Sequence, residues 1–266
     1  MNKYKRLRAP ITYNGGKYKE LPKIFENEPK TFDTFVDVFG GAGVCALNYG
    51  NRGFNVHYND IYEPLFLLFN TLQNKTKCEE LEKRLRNIKP SPEIHQDFTD
   101  GKYGILERLF YISRVTLQCD PHLKTGSKFT PRFKVGTTNY NHILPPSVCL
   151  CNYYDIVKNW KVTQCDFLEV LKEHQHNENA FLYCDPPYVS KTTKQYTTTF
   201  TAVQLLSIYD FMKSPDTKCK IMLNVDYTGW TRETFADLVK LSYPVVYGRK
   251  TVMDIYRKYH LIICNY

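Results

Sequence analysis

Four consecutive residues, Asp185-Pro186-Pro187-Tyr188, follow directly on the apolar run AFLYC (180–184). Successive prolines fix the backbone φ angles and remove two N–H donors, so the segment is stiff and rich in outward-facing carbonyl acceptors. Asp185 adds a carboxylate and Tyr188 an aromatic face. A planar, amine-bearing ring suits this corner: the Asp185 carboxylate and the Pro186 carbonyl accept both hydrogens of an exocyclic NH2, and Tyr188 stacks on the ring. Upstream, the segment DVFGGAGVCA (37–46) contains Gly41-x-Gly43-x-x-Ala46, a relaxed dinucleotide fingerprint between an apolar run and a helix-like stretch. Asp60 ends the next strand candidate, NVHYND, 17 residues after Gly43, where it is placed to accept hydrogen bonds from ribose hydroxyls. The spacing predicts an adenosine-containing cofactor and suits S-adenosylmethionine and a nicotinamide dinucleotide alike, because both lay a ribose over the strand ends.

These residues need strands to carry them. FVDVF (35–39), NVHYND (55–60), KVTQCD (161–166), AFLYC, KIMLNV (220–225), YPVVYG (243–248) and the terminal YHLIICNY (259–266) read as strands. Between them VCALNYG, FLEVLKEH, AVQLLSIYDFM and a stretch around TFADLVKL read as helices, with Thr201 and Gln204 forming a capping box before the third. Alternating strands and helices predict an α/β fold, a largely parallel sheet covered on both faces. The block from about 65 to 155 interrupts the alternation and reads as an inserted, mostly helical domain. It contains the helix patterns IYEPLFLLFNTLQ and CEELEKRLRNI, a Pro- and Gly-containing loop over 89–103, a short helix near 104–113, and then two extended arms that suggest a basic hairpin.

The chain of 266 residues carries 36 Lys+Arg against 27 Asp+Glu, a formal charge of +9, and the excess is concentrated. Residues 101–140 hold Lys102, Arg108, Arg114, Lys124, Lys128, Arg132 and Lys134 against only Glu107 and Asp120. Such a patch attracts polyanions. With 42% hydrophobic and 15% aromatic residues the chain has the material for a core and is no disordered tail. The longest nearly apolar stretch, Ile61 to Phe69, is broken by Glu63 and Pro64, which excludes a helical membrane span. The basic N-terminus leads into no apolar signal region, and nine scattered cysteines argue for reduced thiols, so an intracellular protein is expected. Cys149-x-Cys151 with His142, or His174-x-His176, lack the paired spacing of a zinc site, and no metal is expected.

In order along the chain, YNGGK (13–17), FVDVFGGAG (35–43), the Asp60 strand end, Asp166-Phe167 and DPPY (185–188) resemble the Dam-type (D12 class) DNA adenine-N6 methyltransferases, and LIICNY (261–266) is similar to that family's last strand. The resemblance covers nearly the whole chain. It implies a Rossmann-like, S-adenosylmethionine-dependent methyltransferase sheet formed by residues 1–64 and 156–266. Residues 65–155 would be an inserted target-recognition domain carrying the basic hairpin. It further implies a sequence-specific enzyme that methylates a flipped-out adenine in double-stranded DNA, releases S-adenosylhomocysteine and needs no metal or membrane. Carried over residue by residue, Tyr13 and Lys17 would stand near the methionine end of the cofactor, with Lys17 available to its carboxylate. Asp37, Phe39, Gly41 and Gly43 would lie beneath it, Asp60 would hold the ribose, Asp166 and Phe167 would contact the adenine moiety, and Asp185 would touch cofactor as well as substrate. Asp185, Pro186, Pro187 and Tyr188 would form the catalytic corner. Arg114, Lys124, Lys128, Arg132 and Lys134 would face DNA, joined by Lys191 and Lys194. Tyr13 stands where many relatives have Trp, and Asn14 replaces a small residue. RNA or another amine-bearing substrate uses the same acceptor corner. An NAD-dependent oxidoreductase leaves the corner and the basic insert unexplained, and an inactive DNA-binding regulator leaves the complete set of catalytic residue types unexplained.

Overall fold

A computed structural model describes residues 4–13, 15–115, 142–189, 200–246 and 257–266. Within these residues β1 (Thr34–Asp37), β2 (Asn55–Asn59), β3 (Lys161–Thr163), β4 (Ala180–Cys184), β5 (Lys220–Asp226), β6 (Val239–Val246) and β7 (Arg257–Cys264) form one sheet in the order β3-β2-β1-β4-β5-β7-β6. The first five in sequence run parallel, and β7 lies antiparallel between β5 and β6. The largely parallel α/β sheet expected from the sequence is present. Asp37 pairs in register with Tyr58 of β2 and with Tyr183 of β4, so the carboxyl ends of three strands finish level along one rim. The chain steps outward from β1 to β2 and β3, then returns to lay β4 on the other side of β1. Loops leaving β1 and β4 therefore diverge and open a crevice at the switch point.

Strand composition follows from position. All five residues of β4 are buried, as a parallel strand covered on both faces requires. The period of two divides its side chains: Phe181 and Tyr183 join Phe35 on one face, while Leu182 and Cys184 join Val36 on the other. The first face is covered by α1 (Leu21–Glu26), α2 (Val44–Gly50), α3 (Glu63–Leu72), α4 (Lys75–Asn87), α5 (Pro92–Thr99), α6 (Ile105–Val115) and α7 (Cys151–Val157). The second is covered by α8 (Phe167–His174), α9 (Ala202–Lys213) and Phe235, which follows α10 (Gly229–Thr234). Helices α3 to α7 supply Leu65, Phe69, Leu81, Phe98, Phe110 and Val157 to the same apolar cluster as Phe35 and Phe181, so this stretch shares the core of the sheet.

Two local expectations need correction. The segment 89–103 is not all loop, because α5 occupies its middle. Ser91 accepts a hydrogen bond from the Ile94 N–H at 3.2 Å, and Pro92 sits at the first helical position, where a missing N–H leaves no bond unmade. Phe98 then stacks between Tyr103 and Tyr111, at ring-centroid distances of 4.1 and 4.0 Å. Nor is TFADLVKL a helix. Thr228 and Thr231 close a capping box that starts α10 earlier; the helix ends at Thr234, and Val239 already belongs to β6. The capping box expected at Thr201 and Gln204 is formed and opens α9. The proposed basic hairpin with Lys124, Lys128, Arg132 and Lys134 lies outside the described residues, as do Asn14, Lys191 and Lys194.

Candidate active site

The loop after β1 is held by its neighbours. Gly40 N–H donates to the Asn59 carbonyl at 2.7 Å, and the Tyr58 hydroxyl donates to the Gly41 carbonyl at 2.6 Å. Gly41 N–H donates to Asp60 Oδ2 at 2.7 Å, while Tyr62 N–H donates to Oδ1 at 2.8 Å. Gly41 and Gly43 have φ of +53° and +75°, the left-handed region that side-chain-bearing residues avoid. A Cβ at Gly43 would lie 2.1 Å from the Phe69 ring. Gly43 therefore serves packing and the start of α2; the cleft floor expected of it is formed by Gly40, Gly41 and Ala42. Ala46 N–H, in the first turn of α2, donates to Asp37 Oδ2 at 3.1 Å. Burial pushes the Asp37 carboxyl up to about 8, with the charges of Asp185 and Asp60 adding to the rise and the Ala46 hydrogen bond opposing it. Burial likewise raises Asp60 to about 6 against its two backbone hydrogen bonds.

A cleft with about 1240 Å³ of open space, its mouth included, occupies the crevice between the β1 and β4 loops. Apart from Gly43, every residue predicted for the cofactor site and the corner lines it: Tyr13, Lys17, Asp37, Phe39, Gly41, Asp60, Asp166, Phe167 and all four of Asp185 to Tyr188. Phe39 stacks on Phe167 with centroids 5.5 Å apart, and Phe200 meets both rings edge-on at 5.5 Å. Sequence reading missed Phe200 and Gln204. Their signal was available, since an apolar residue just before a Thr-x-x-Gln capping box often folds back onto the helix it precedes. Asp166 is the N-cap of α8, accepting from the Leu168 N–H at 2.9 Å.

The corner itself is charged and mostly buried. Lys17 Nζ lies 2.5 Å from Asp185 Oδ2 and donates to the Gly15 carbonyl at 3.1 Å and to the Tyr188 hydroxyl at 3.2 Å. Lys17 thus lines the cleft while paired with the Asp185 carboxylate. The other Asp185 oxygen, Oδ1, is buried and has no hydrogen-bond partner among the described residues. Burial raises the Asp185 pKa, and the charge and hydrogen bond of Lys17 work against that rise. Tyr188 is 6% exposed and lines the cleft.

Arg114, the one predicted DNA-facing cation within the described residues, ends α6 and lines a second cavity beside Arg8, Tyr18 and Tyr153. That cavity shares Tyr13, Gly16, Ala42 and Val44 with the cleft. Possible metal-ligating groups meet in combinations other than those the sequence spacing suggested. Cys149 and Cys151 approach Glu82 rather than His142, and His174 approaches His57 and Glu173 rather than His176. No helix among the described residues is long and apolar enough to cross a membrane.

A mostly parallel seven-stranded sheet of this order, with a glycine loop after β1 and an Asp-Pro-Pro-Tyr corner after β4, is consistent with a Rossmann-like methyltransferase. The model of the D12 class N6 adenine-specific DNA methyltransferase family matches residues 13–115 and 133–228, about three quarters of the chain, and the chain belongs to that family. The Type II methyltransferase M.CviBI of Paramecium bursaria Chlorella virus NC1A is 22% identical over 268 residues, covering 98% of this chain and all of the relative. The Type II methyltransferase M.FokI of Planomicrobium okeanokoites is 26% identical over 211 residues, and the modification methylase StsI of Streptococcus sanguinis 22% over 199. These matches cover 70% and 71% of the chain, but only 30% of each of those two longer relatives. Family and relatives together make the chain an adenine-specific DNA methyltransferase.

Proposed function

We propose that the chain moves a methyl group from S-adenosylmethionine to the N6 amine of an adenine extruded from duplex DNA at a specific sequence, releasing S-adenosylhomocysteine. The observation that carries this reading is Asp185 Oδ1, a buried acceptor without a partner among the described residues, at the carboxyl end of β4 in the cleft. An unpaired buried acceptor costs about 1–3 kcal/mol, and an amine N–H arriving through the cleft would satisfy it. The other groups suit the cofactor. Each Asp60 oxygen accepts one backbone N–H and keeps a lone pair for a ribose hydroxyl. Phe39, Phe167 and Phe200 offer flat apolar surface to an adenine moiety, and Gly41 leaves space beneath Tyr13.

S-adenosylmethionine, when bound, supplies an electrophilic methyl on a sulfonium sulfur. The protein's task is to make a poor nucleophile attack it, because the adenine amine shares its lone pair with the ring. With Asp185 and the Pro186 carbonyl accepting its two hydrogens, the nitrogen turns pyramidal and its lone pair points out of the ring plane. Fixed acceptors also favour the positive charge that develops on nitrogen during in-line transfer, and the methylated nitrogen then loses one proton to water, directly or by way of Asp185. Tyr188 offers its ring for stacking. A base within a duplex cannot reach this corner, so it must swing out at a few kcal/mol of unstacking. Residues 65–155 are assigned to target recognition and residues 1–64 with 156–266 to catalysis. Arg114, Lys124, Lys128, Arg132 and Lys134 are assigned to phosphates and guanine edges.

Replacing the acceptor tests the assignment. Asp185→Ala should lower kcat by at least about 100-fold, the scale for loss of one preorganised transition-state contact, while calorimetry still finds S-adenosylmethionine bound. Unchanged turnover in that variant would remove Asp185 from the reaction.

A further inference from the structure

Behind Tyr188 runs a buried polar chain that the reaction, as derived, does not use. His260 on β7 is 0% exposed and Glu20, at the start of α1, 6%. His260 Nδ1 lies 2.8 Å from Glu20 Oε2, and the Tyr243 hydroxyl donates to the same oxygen at 2.6 Å. Burial favours a protonated Glu20, but the His260 hydrogen bond and the Lys17 charge outweigh it and hold the pKa below the usual carboxylate range. An ionised carboxylate only accepts, so His260 presents Nδ1–H to it and its ring orientation is fixed. The Tyr188 hydroxyl lies 3.2 Å from His260 Nε2, 3.5 Å from its Nδ1 and 3.2 Å from Lys17 Nζ. The Tyr188 and His260 rings meet edge to face, 5.2 Å between centroids at 68°.

These contacts fix both freedoms of the tyrosine. The hydroxyl lies on the ring axis, so holding it sets the direction of that axis, and the edge-to-face contact with His260 restricts the ring plane. An apolar filling of the same volume often stabilises a fold as well as a buried ion-containing network does. We infer that Glu20 and His260 are positioning residues that hold the Tyr188 ring, through its hydroxyl, in the orientation that receives the target base. The inference rests on the proposed role of Tyr188 as the stacking surface for an extruded adenine.

A double-mutant cycle on the full chain tests it, using methylation kinetics on duplex DNA and calorimetric S-adenosylmethionine affinity. His260→Gln should lower kcat about tenfold with cofactor affinity unchanged. The same change in a Tyr188→Phe background, which has no hydroxyl to hold, should lower kcat less than about twofold. Glu20→Gln, nearly isosteric, should repeat the loss and the same dependence on the hydroxyl. Equal losses in both backgrounds, or no loss in either single variant, would overturn the inference. An unmodified chain that transfers no methyl to DNA would instead overturn the function on which it rests.

Discussion

Asp37 and Asp185 share a buried corner of the cleft, and Lys17 is the cation that opposes the rise of both pKa values. Asp185 must be ionised for its carboxylate to serve purely as an acceptor of an amine hydrogen, yet burial favours its protonated form. Removing Lys17 deletes the strongest opposing influence, so the Asp185 pKa climbs further and a smaller fraction is ionised at any given acidic pH. Lys17→Met should therefore move the acidic limb of the kcat–pH profile upward, by about one unit or more for loss of a contacting opposite charge. An unmoved limb would show that Lys17 does not govern Asp185. The contiguous Asp185 to Tyr188 corner was legible in the sequence because prolines and an adjoining apolar run declare their own geometry. The pairing of Lys17 with Asp185 was not, since the two are far apart in the chain and meet only when the 3-10 turn Lys17–Lys19, ahead of α1, packs against the β4 loop.

At the scale of elements, the glycine loop shows how one motif divides its work. Gly41 lines the cleft, with Tyr13 lying 3.4 Å from where its Cβ would stand. Gly43 packs against Phe69 and caps α2 in the left-handed region. Gly43→Ala should destabilise the fold by about 2–4 kcal/mol, combining left-handed strain with overpacking. Gly41→Ala, in open cleft, should lose clearly less, which thermal unfolding of the two variants decides. Equal losses would contradict this division. Strands and most helices were legible because apolar runs and capping boxes are local signals. The helix Pro92–Thr99 was hidden because Ser-Pro reads as a loop until Phe98 is seen stacked between two tyrosines. TFADLVKL misled because its helical spacing yields to pairing with β7, which no local pattern announces.

At the scale of the whole molecule, the strand order sets the cleft. Because the chain reverses direction of travel between β1 and β4, the glycine loop and the acceptor corner face each other across one crevice. The sequence showed both motifs at strand ends, but their opposition depends on strand order, which motif spacing alone does not contain. The helical stretch from α3 to α7, which reads from sequence as an inserted domain, contributes its apolar side chains to the same cluster as one face of the sheet. Contacts made by those helices can therefore bear directly on the wall of the cleft. The central claim concerns the product of the intact chain. Incubation with methyl-labelled S-adenosylmethionine and unmethylated duplex DNA, followed by digestion to nucleosides, should place the label in N6-methyladenine at one short recurring sequence. Label in cytosine, label transferred to RNA in preference to DNA, or no transfer at all would contradict it.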